Sequence, residues 1–235
     1  MSDSLTHARR VMAASRWLTV LAALGLMACA RAPLADWQFN AHGALERALA
    51  AHLTGDARVA ELEFDRARAE VARTGRVDLA SRVELARCAA QLASLVFESC
   101  AGFERLRPDA PPAEQAYADF LLGRLDPGRI ELLPARYRRV AMTGSGAADD
   151  LTTVRDLPDP LSQVVAAAIW LRAGRSTPEI IGLAVDAASS QGWRRPLLAW
   201  LGVQLKRASD GQDAQSAERL QRRIDLVLQD TPKKP

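Results

Sequence analysis

Apolar residues recur at helical spacing along most of the chain after residue 36. Gly, Pro and Asp clusters separate the periodic segments, and no segment shows the alternation of a β-strand. The pattern predicts an all-α fold of stacked antiparallel helical hairpins, either an α-solenoid or an irregular helical bundle. The predicted helices cover about residues 36–53, 57–73, 79–97, 101–106, 113–125, 135–141, 161–173, 178–190, 195–208 and 214–228.

The turn between the first two helices has a clear stop-and-restart signal. Gly55 is suited to end one helix, and Asp56 is suited to cap the next. The following helix places Ala60, Phe64 and Ala67 on one face, where small residues let two helices approach and the aromatic ring fills the gap to the next pair.

These positions, Gly55–Asp56, Ala60, Phe64 and Ala67, resemble a tetratricopeptide repeat. The first helix departs from the family pattern, because its expected Trp, Gly and Tyr positions are Ala44, Ala48 and Ala51. The final helical pair, with Gly202, Leu205, Ala217 and Leu220, looks like a second degenerate unit. The resemblance implies a tetratricopeptide-like solenoid that presents a concave surface to a partner.

An apolar run from residue 17 to residue 28 follows Arg9, Arg10 and Arg16. A basic segment before a short apolar core is typical of a secretory signal. The run is too short for a transmembrane helix, which needs about 20 apolar residues. Met12 is an alternative start to Met1, because the residues from Met12 to Arg16 make a compact basic segment.

Residues 26–29, Leu-Met-Ala-Cys, resemble the lipobox of bacterial lipoproteins, although Met27 is an unusual occupant. The resemblance implies lipid attachment to Cys29, cleavage before it and acylation of the new amine. In related lipoproteins an Asp after the Cys favours the inner membrane, so Ala30 implies the outer membrane, facing the periplasm. The alternative is an ordinary cleaved signal with an incidental cysteine.

These patterns divide the chain into a signal peptide, a lipidated tether, an N-terminal helical lobe, a linker-like segment, a C-terminal helical lobe and a disordered polar tail. Their expected bounds are 1–28, 29–35, 36–142, 143–160, 161–230 and 231–235. The linker assignment depends on the sequence TGSGAADD and on Pro158 and Pro160.

Composition agrees with an exported helical protein and argues against nucleic-acid binding. The net charge of the full chain is +3. The predicted signal peptide contains three arginines and one aspartate, so its removal leaves a nearly neutral chain without a basic footprint. Aromatic residues make up 5% of the sequence, a sparse content that favours helices over a β-sandwich.

Two cysteines, Cys88 and Cys100, remain in a compartment that permits disulfides. On one unbroken helix they would lie about 18 Å apart. A disulfide requires Cα atoms within about 7 Å, so it requires a helix break, which Glu98–Ser99 could supply with Ser99 as an N-cap. The sequence leaves a disulfide and two buried free thiols as equal alternatives.

The sequence contains no recognisable catalytic or metal-binding motif. His42 and His52 would lie about 15 Å apart along one helix, too far to share a metal ion. Gly144, Ser145 and Gly146 are followed by no lysine and favour a linker over a phosphate-binding loop. We therefore expect no metal, no cofactor and no enzymatic activity.

Trp193, Arg194, Arg195 and Trp200 are the candidate partner-binding residues, because Trp and Arg are frequent among interface hot spots. Packing in the core is the alternative interpretation, and the pattern favours it.

The expected function is an outer-membrane-anchored periplasmic lipoprotein that binds or scaffolds protein partners in an envelope complex, such as assembly, secretion or cell-wall machinery. The alternatives are a cell-wall-active hydrolase with a catalytic carboxylate on a helical scaffold, and a passive structural lipoprotein.

Overall fold

The computed structural model describes residues 35–143 and 148–229, and in that part of the chain the regular secondary structure is entirely helical. The predicted all-α class is therefore confirmed. The α-helices are α1 (Asp36–Thr54), α2 (Ala57–Ala72), α3 (Val77–Ala93), α4 (Ala101–Glu104), α5 (Pro112–Leu121), α6 (Ala135–Met142), α7 (Ala148–Arg155), α8 (Pro160–Arg172), α9 (Pro178–Ser190), α10 (Arg194–Asp210) and α11 (Ala214–Gln229).

Two 3₁₀ segments, Arg107–Asp109 and Pro127–Leu132, complete the described structure. The predicted signal peptide, Cys29, the glycine-serine stretch at 144–146 and the polar tail lie outside the described residues. Within the described ranges, no helix combines the length and the apolar character needed to cross a bilayer.

The turn between α1 and α2 forms as the sequence predicts. Gly55 has a φ of +102°, a conformation that side chains with a Cβ rarely adopt. The Asp56 carboxylate accepts a hydrogen bond of 3.0 Å from the Val59 N–H and so caps α2. Ala60, Phe64 and Ala67 are all buried. The tetratricopeptide resemblance itself stays a prediction.

One large apolar cluster connects the middle of the chain with its C-terminal part. It includes residues of α3, α5, α8, α9 and α10, and Trp170 and Trp200 are its largest fully buried side chains. A smaller cluster around Phe64 joins α1, α2 and α3. The described residues from Trp37 onward form one compact unit, so the core continues across the boundary expected at 143–160.

The segment at 143–160 is only partly irregular, which corrects the linker assignment. Its residues include α7, and Val154 and Leu157 are buried in the large cluster. The sequence TGSGAADD, together with Pro158 and Pro160, suggested a linker because it is rich in turn-forming residues and poor in apolar ones. Tertiary packing of those few apolar side chains stabilises a helix that local pattern does not predict.

Three buried glutamates connect consecutive long helices. Arg47 of α1 donates to Glu63 of α2 (3.0 Å), Arg68 of α2 donates to Glu84 of α3 (2.5 Å), and Arg82 of α3 donates to Glu114 of α5 (2.9 Å). We call these three pairs the arginine–glutamate series. In each pair the arginine comes from the earlier helix, and the glutamate side chain is almost completely buried. The ion pair with arginine offsets the free-energy cost of removing each carboxylate from water.

The structure contains a disulfide between Cys88 and Cys100, whose Cα atoms lie 5.5 Å apart. The helix break between the two cysteines comes earlier than expected, since α3 ends at Ala93. The cap of the following helix also differs from the expectation. Cys100, and not Ser99, occupies the N-cap position of α4.

Candidate binding groove

A groove of about 690 Å³ opens between helices from widely separated parts of the chain. Its walls come from α1, α3, α5, α8 and the segment around residues 132–138. Apolar side chains contribute Leu49, Leu85, Ala86, Ala89, Leu132, Leu133, Leu161 and Val165. Polar side chains contribute Arg82, Glu114, Tyr117, Arg136, Tyr137, Arg138, Asp159 and Ser162. An apolar lining with a few convergent polar groups is typical of a binding site.

Two tyrosines are the central aromatic residues of the groove. The rings of Tyr117 and Tyr137 stack with centroids 5.7 Å apart. The Tyr137 hydroxyl donates to Ser162 Oγ over 3.1 Å, and Ser162 Oγ donates to Asp159 Oδ2 over 2.8 Å. This chain of hydrogen bonds fixes the orientation of the Tyr137 ring, against which the Tyr117 ring stacks.

The two phenols remain protonated at physiological pH. Burial raises the pKa of Tyr117 well above its ordinary value of 10.0, and the neighbouring Tyr137 raises it further. Burial also raises the pKa of Tyr137, although its interactions with Ser162 and Tyr117 oppose that effect. The groove is therefore lined by two neutral phenols, of which Tyr137 is buried and Tyr117 is partly exposed.

The charged residues along the groove form ion pairs that also join its walls. Arg82 pairs with Glu114 across α3 and α5, and Arg136 Nη1 lies 3.1 Å from Asp159 Oδ2. The Arg82 side chain is well exposed, whereas Glu114 is buried. The Arg82 guanidinium is therefore accessible to a ligand while its position is fixed by the glutamate.

Two polar residues of the groove wall, Asp159 and Ser162, have a structural role at the start of α8. Asp159 caps α8 by accepting a hydrogen bond from the backbone N–H of Ser162 over 2.8 Å, and the same carboxylate accepts a hydrogen bond from the Ser162 hydroxyl. Both groups therefore stabilise the start of α8. Among the residues that the structure describes, no cluster of His, Cys, Asp and Glu has the arrangement of a metal site.

The structure separates the four candidate partner-binding residues. Trp200 is fully buried, and its indole N–H donates to the Ala93 carbonyl over 3.0 Å, so it belongs to the core. Trp193, Arg194 and Arg195 are half-buried, and Trp193 packs against the large apolar cluster. For Trp200 the structure therefore agrees with the alternative of packing in the core and rules out the partner-binding assignment.

Arg195 instead acts electrostatically on a buried histidine near the end of α1. His52 has its pKa lowered to about 4, first by burial and then by the positive charges of Arg195 and Arg87. His42 lies on the exposed side of the same helix and forms a pair with Glu46. The two histidines therefore have separate environments, as their spacing predicts.

Sequence reasoning did not identify the groove because its residues come from five separate segments. One signal was available in the composition. The chain contains two tyrosines, and both lie in the groove. The run Arg136-Tyr137-Arg138 combines one of them with two cations, as binding surfaces often do.

Comparisons with known proteins identify no relative. No protein-family model matches the chain, and neither a curated protein nor a solved structure matches it.

Proposed function

We propose that the protein is a lipoprotein anchored through Cys29 to the periplasmic face of the outer membrane, whose helical domain binds a protein partner of the cell envelope in the groove. The observation that supports this proposal best is the groove itself, with its apolar walls, its two protonated tyrosines and its accessible arginines.

The groove has the size and chemistry for a segment of a partner protein. Its volume of about 690 Å³ lies within the range of specific ligand sites. Apolar side chains of the partner would contact Leu49, Leu132 and Leu161, while its polar groups would bind Arg82 and Arg136. Tyr and Arg supply a large share of the binding energy at many protein interfaces.

Site-specific photocrosslinking in living cells tests the groove. A photoreactive amino acid replaces Leu132, which lies on the groove and is 39% exposed. The matched control replaces Leu62 of α2, which is 50% exposed and lies outside the groove. We expect a crosslinked protein from position 132 and none from position 62. Equal crosslinking at both positions, or none at 132, would contradict the proposed site.

A second experiment tests the anchor separately. Mass spectrometry of the N-terminal peptide should show acyl chains on Cys29. The Cys29→Ala variant should move from the membrane fraction to the soluble fraction, because two or three acyl chains supply most of the membrane affinity. An unchanged membrane fraction in this variant would contradict the lipid anchor and leave the groove experiment unaffected.

A further inference from the structure

The first turn of α1 presents aromatic surface that the rest of the described chain does not cover. Phe39 leaves 72% of its surface exposed, more than any other large apolar residue among those described. Trp37, two residues before it, is partly exposed. A single exposed apolar residue is common on protein surfaces and does not by itself indicate a binding site. A role for Phe39 therefore depends on where this residue lies in the chain.

Both aromatic residues lie close to the predicted lipid anchor. Only residues 30–35 separate Cys29 from α1, and even a fully extended segment of this length spans roughly 25 Å. A membrane anchor at Cys29 would therefore keep the first turn of α1 near the lipid headgroups. The same short reach limits access of a large protein partner to this turn.

The chemistry of the turn suits the boundary between headgroups and acyl chains. Tryptophan has an apolar body and a polar N–H, a combination enriched at membrane interfaces, and a phenylalanine ring adds apolar area. Farther along the same helix the exposed side chains are polar or charged, including His42, Glu46 and Arg47, apart from the small Ala50. Contact with acyl chains is thus restricted to the first turn.

We propose that Trp37 and Phe39 dock the first turn of α1 onto the surface of the phospholipid bilayer that carries the Cys29 anchor. This inference rests on the proposed lipid anchor and adds a second membrane contact to it. The docking fixes which end of the helical domain faces the membrane, and it leaves the more distant helices accessible to partners in the periplasm.

Tryptophan quenching by brominated lipids tests the proposal. The mature lipidated protein is reconstituted into vesicles of phosphatidylethanolamine and phosphatidylglycerol, with bromine atoms on part of the acyl chains. The difference in quenching between the parent and Trp37→Phe isolates Trp37, since Trp170 and Trp200 are buried and Trp193 is common to both proteins. We expect measurable quenching of Trp37.

The Phe39→Ser variant should lose most of that quenching while keeping the thermal unfolding midpoint of the parent, because Phe39 contributes little to the core. The matched control is Met142→Ser, which changes another apolar residue, 64% exposed, at the end of α6. This control should retain the full quenching of Trp37.

The possible contrary results are distinguishable. If Cys29 carries lipid but the brominated lipids do not quench Trp37, the docking is overturned and the anchor is retained. Cys29 without lipid would remove the anchor and the docking together. Protection of Phe39 by a second copy, detected as crosslinked dimers that disappear in Phe39→Ser, would assign this surface to self-association and overturn the proposal.

Discussion

The indole N–H of Trp200 donates a hydrogen bond to the backbone carbonyl of Ala93, 3.0 Å away, between residues 107 positions apart in the sequence. Ala93 is the last residue of α3, and Trp200 lies in the middle of α10. The bond therefore satisfies an acceptor at a helix end and ties the C-terminal helices to the N-terminal ones.

Replacing Trp200 should destabilise the whole domain. Trp200→Ala removes a fully buried ring and should lower the free energy of unfolding by about 3–5 kcal/mol. Trp200→Phe keeps most of the ring but leaves the Ala93 carbonyl without its donor, so we expect a loss of about 1–3 kcal/mol. Urea unfolding followed by circular dichroism measures both. A larger loss of unfolding free energy in Trp200→Phe than in Trp200→Ala would contradict this interpretation.

The stability of the protein should depend on pH through His52. The pKa of His52 is lowered from 6.5 to about 4 in the folded protein. Between these values the unfolded chain binds a proton that the folded protein does not bind. The free energy of unfolding should therefore fall as the pH falls from about 6.5 to about 4, by up to about 3 kcal/mol.

Urea unfolding at neutral pH and at about pH 4.5 measures this dependence, because most of the expected change in stability from His52 falls between these two pH values. The His52→Gln variant should lose less stability than the parent on acidification. His42→Gln is the matched control, since His42 is exposed on the same helix, and it should behave like the parent. Identical pH dependence in all three proteins would rule out His52 as the cause.

The disulfide should contribute to stability by restricting the unfolded chain. A crosslink between Cys88 and Cys100 closes a short loop, for which we expect a contribution of about 3 kcal/mol. Reduction of the parent should lower the midpoint of urea unfolding, whereas the same reductant should not affect the Cys88→Ala/Cys100→Ala protein. A thiol count on the denatured, unreduced protein should find neither cysteine free; titration of both would contradict the disulfide.

Gly102 should be intolerant of even a small side chain. A Cβ atom at this position would overlap the buried Glu84 carboxylate, which is paired with Arg68. Gly102→Ala should therefore displace Glu84 from its cation and destabilise the protein by about 1–3 kcal/mol. The matched control is Gly182→Ala within α9, where no atom lies near the added Cβ.

The control should be neutral or more stable by up to about 1 kcal/mol, because alanine favours a helix over glycine. Thermal unfolding of Gly102→Ala, Gly182→Ala and the parent measures the change in stability that each substitution causes. If the two substitutions had the same effect, the contact between Gly102 and Glu84 would have no energetic role.

The sequence predicted the helices whose ends and faces are marked by local signals. Gly55 and Asp56 predicted the turn between α1 and α2, since both act through their own backbone and side-chain chemistry. The α7 helix was missed because its stability comes from burial of Val154 against distant residues. The groove was missed for the same reason, since Tyr117 and Tyr137 meet only after the helices pack.

The arginine–glutamate series restricts where the chain can change in length. One residue inserted between Asp56 and Glu63 would rotate Glu63 by about 100° around α2 and take it away from Arg47. An insertion in α3 before Glu84 would likewise rotate Glu84 away from Arg68. Insertions and deletions, in natural variants or in engineered ones, should therefore be tolerated in the turns between these helices and rejected within them.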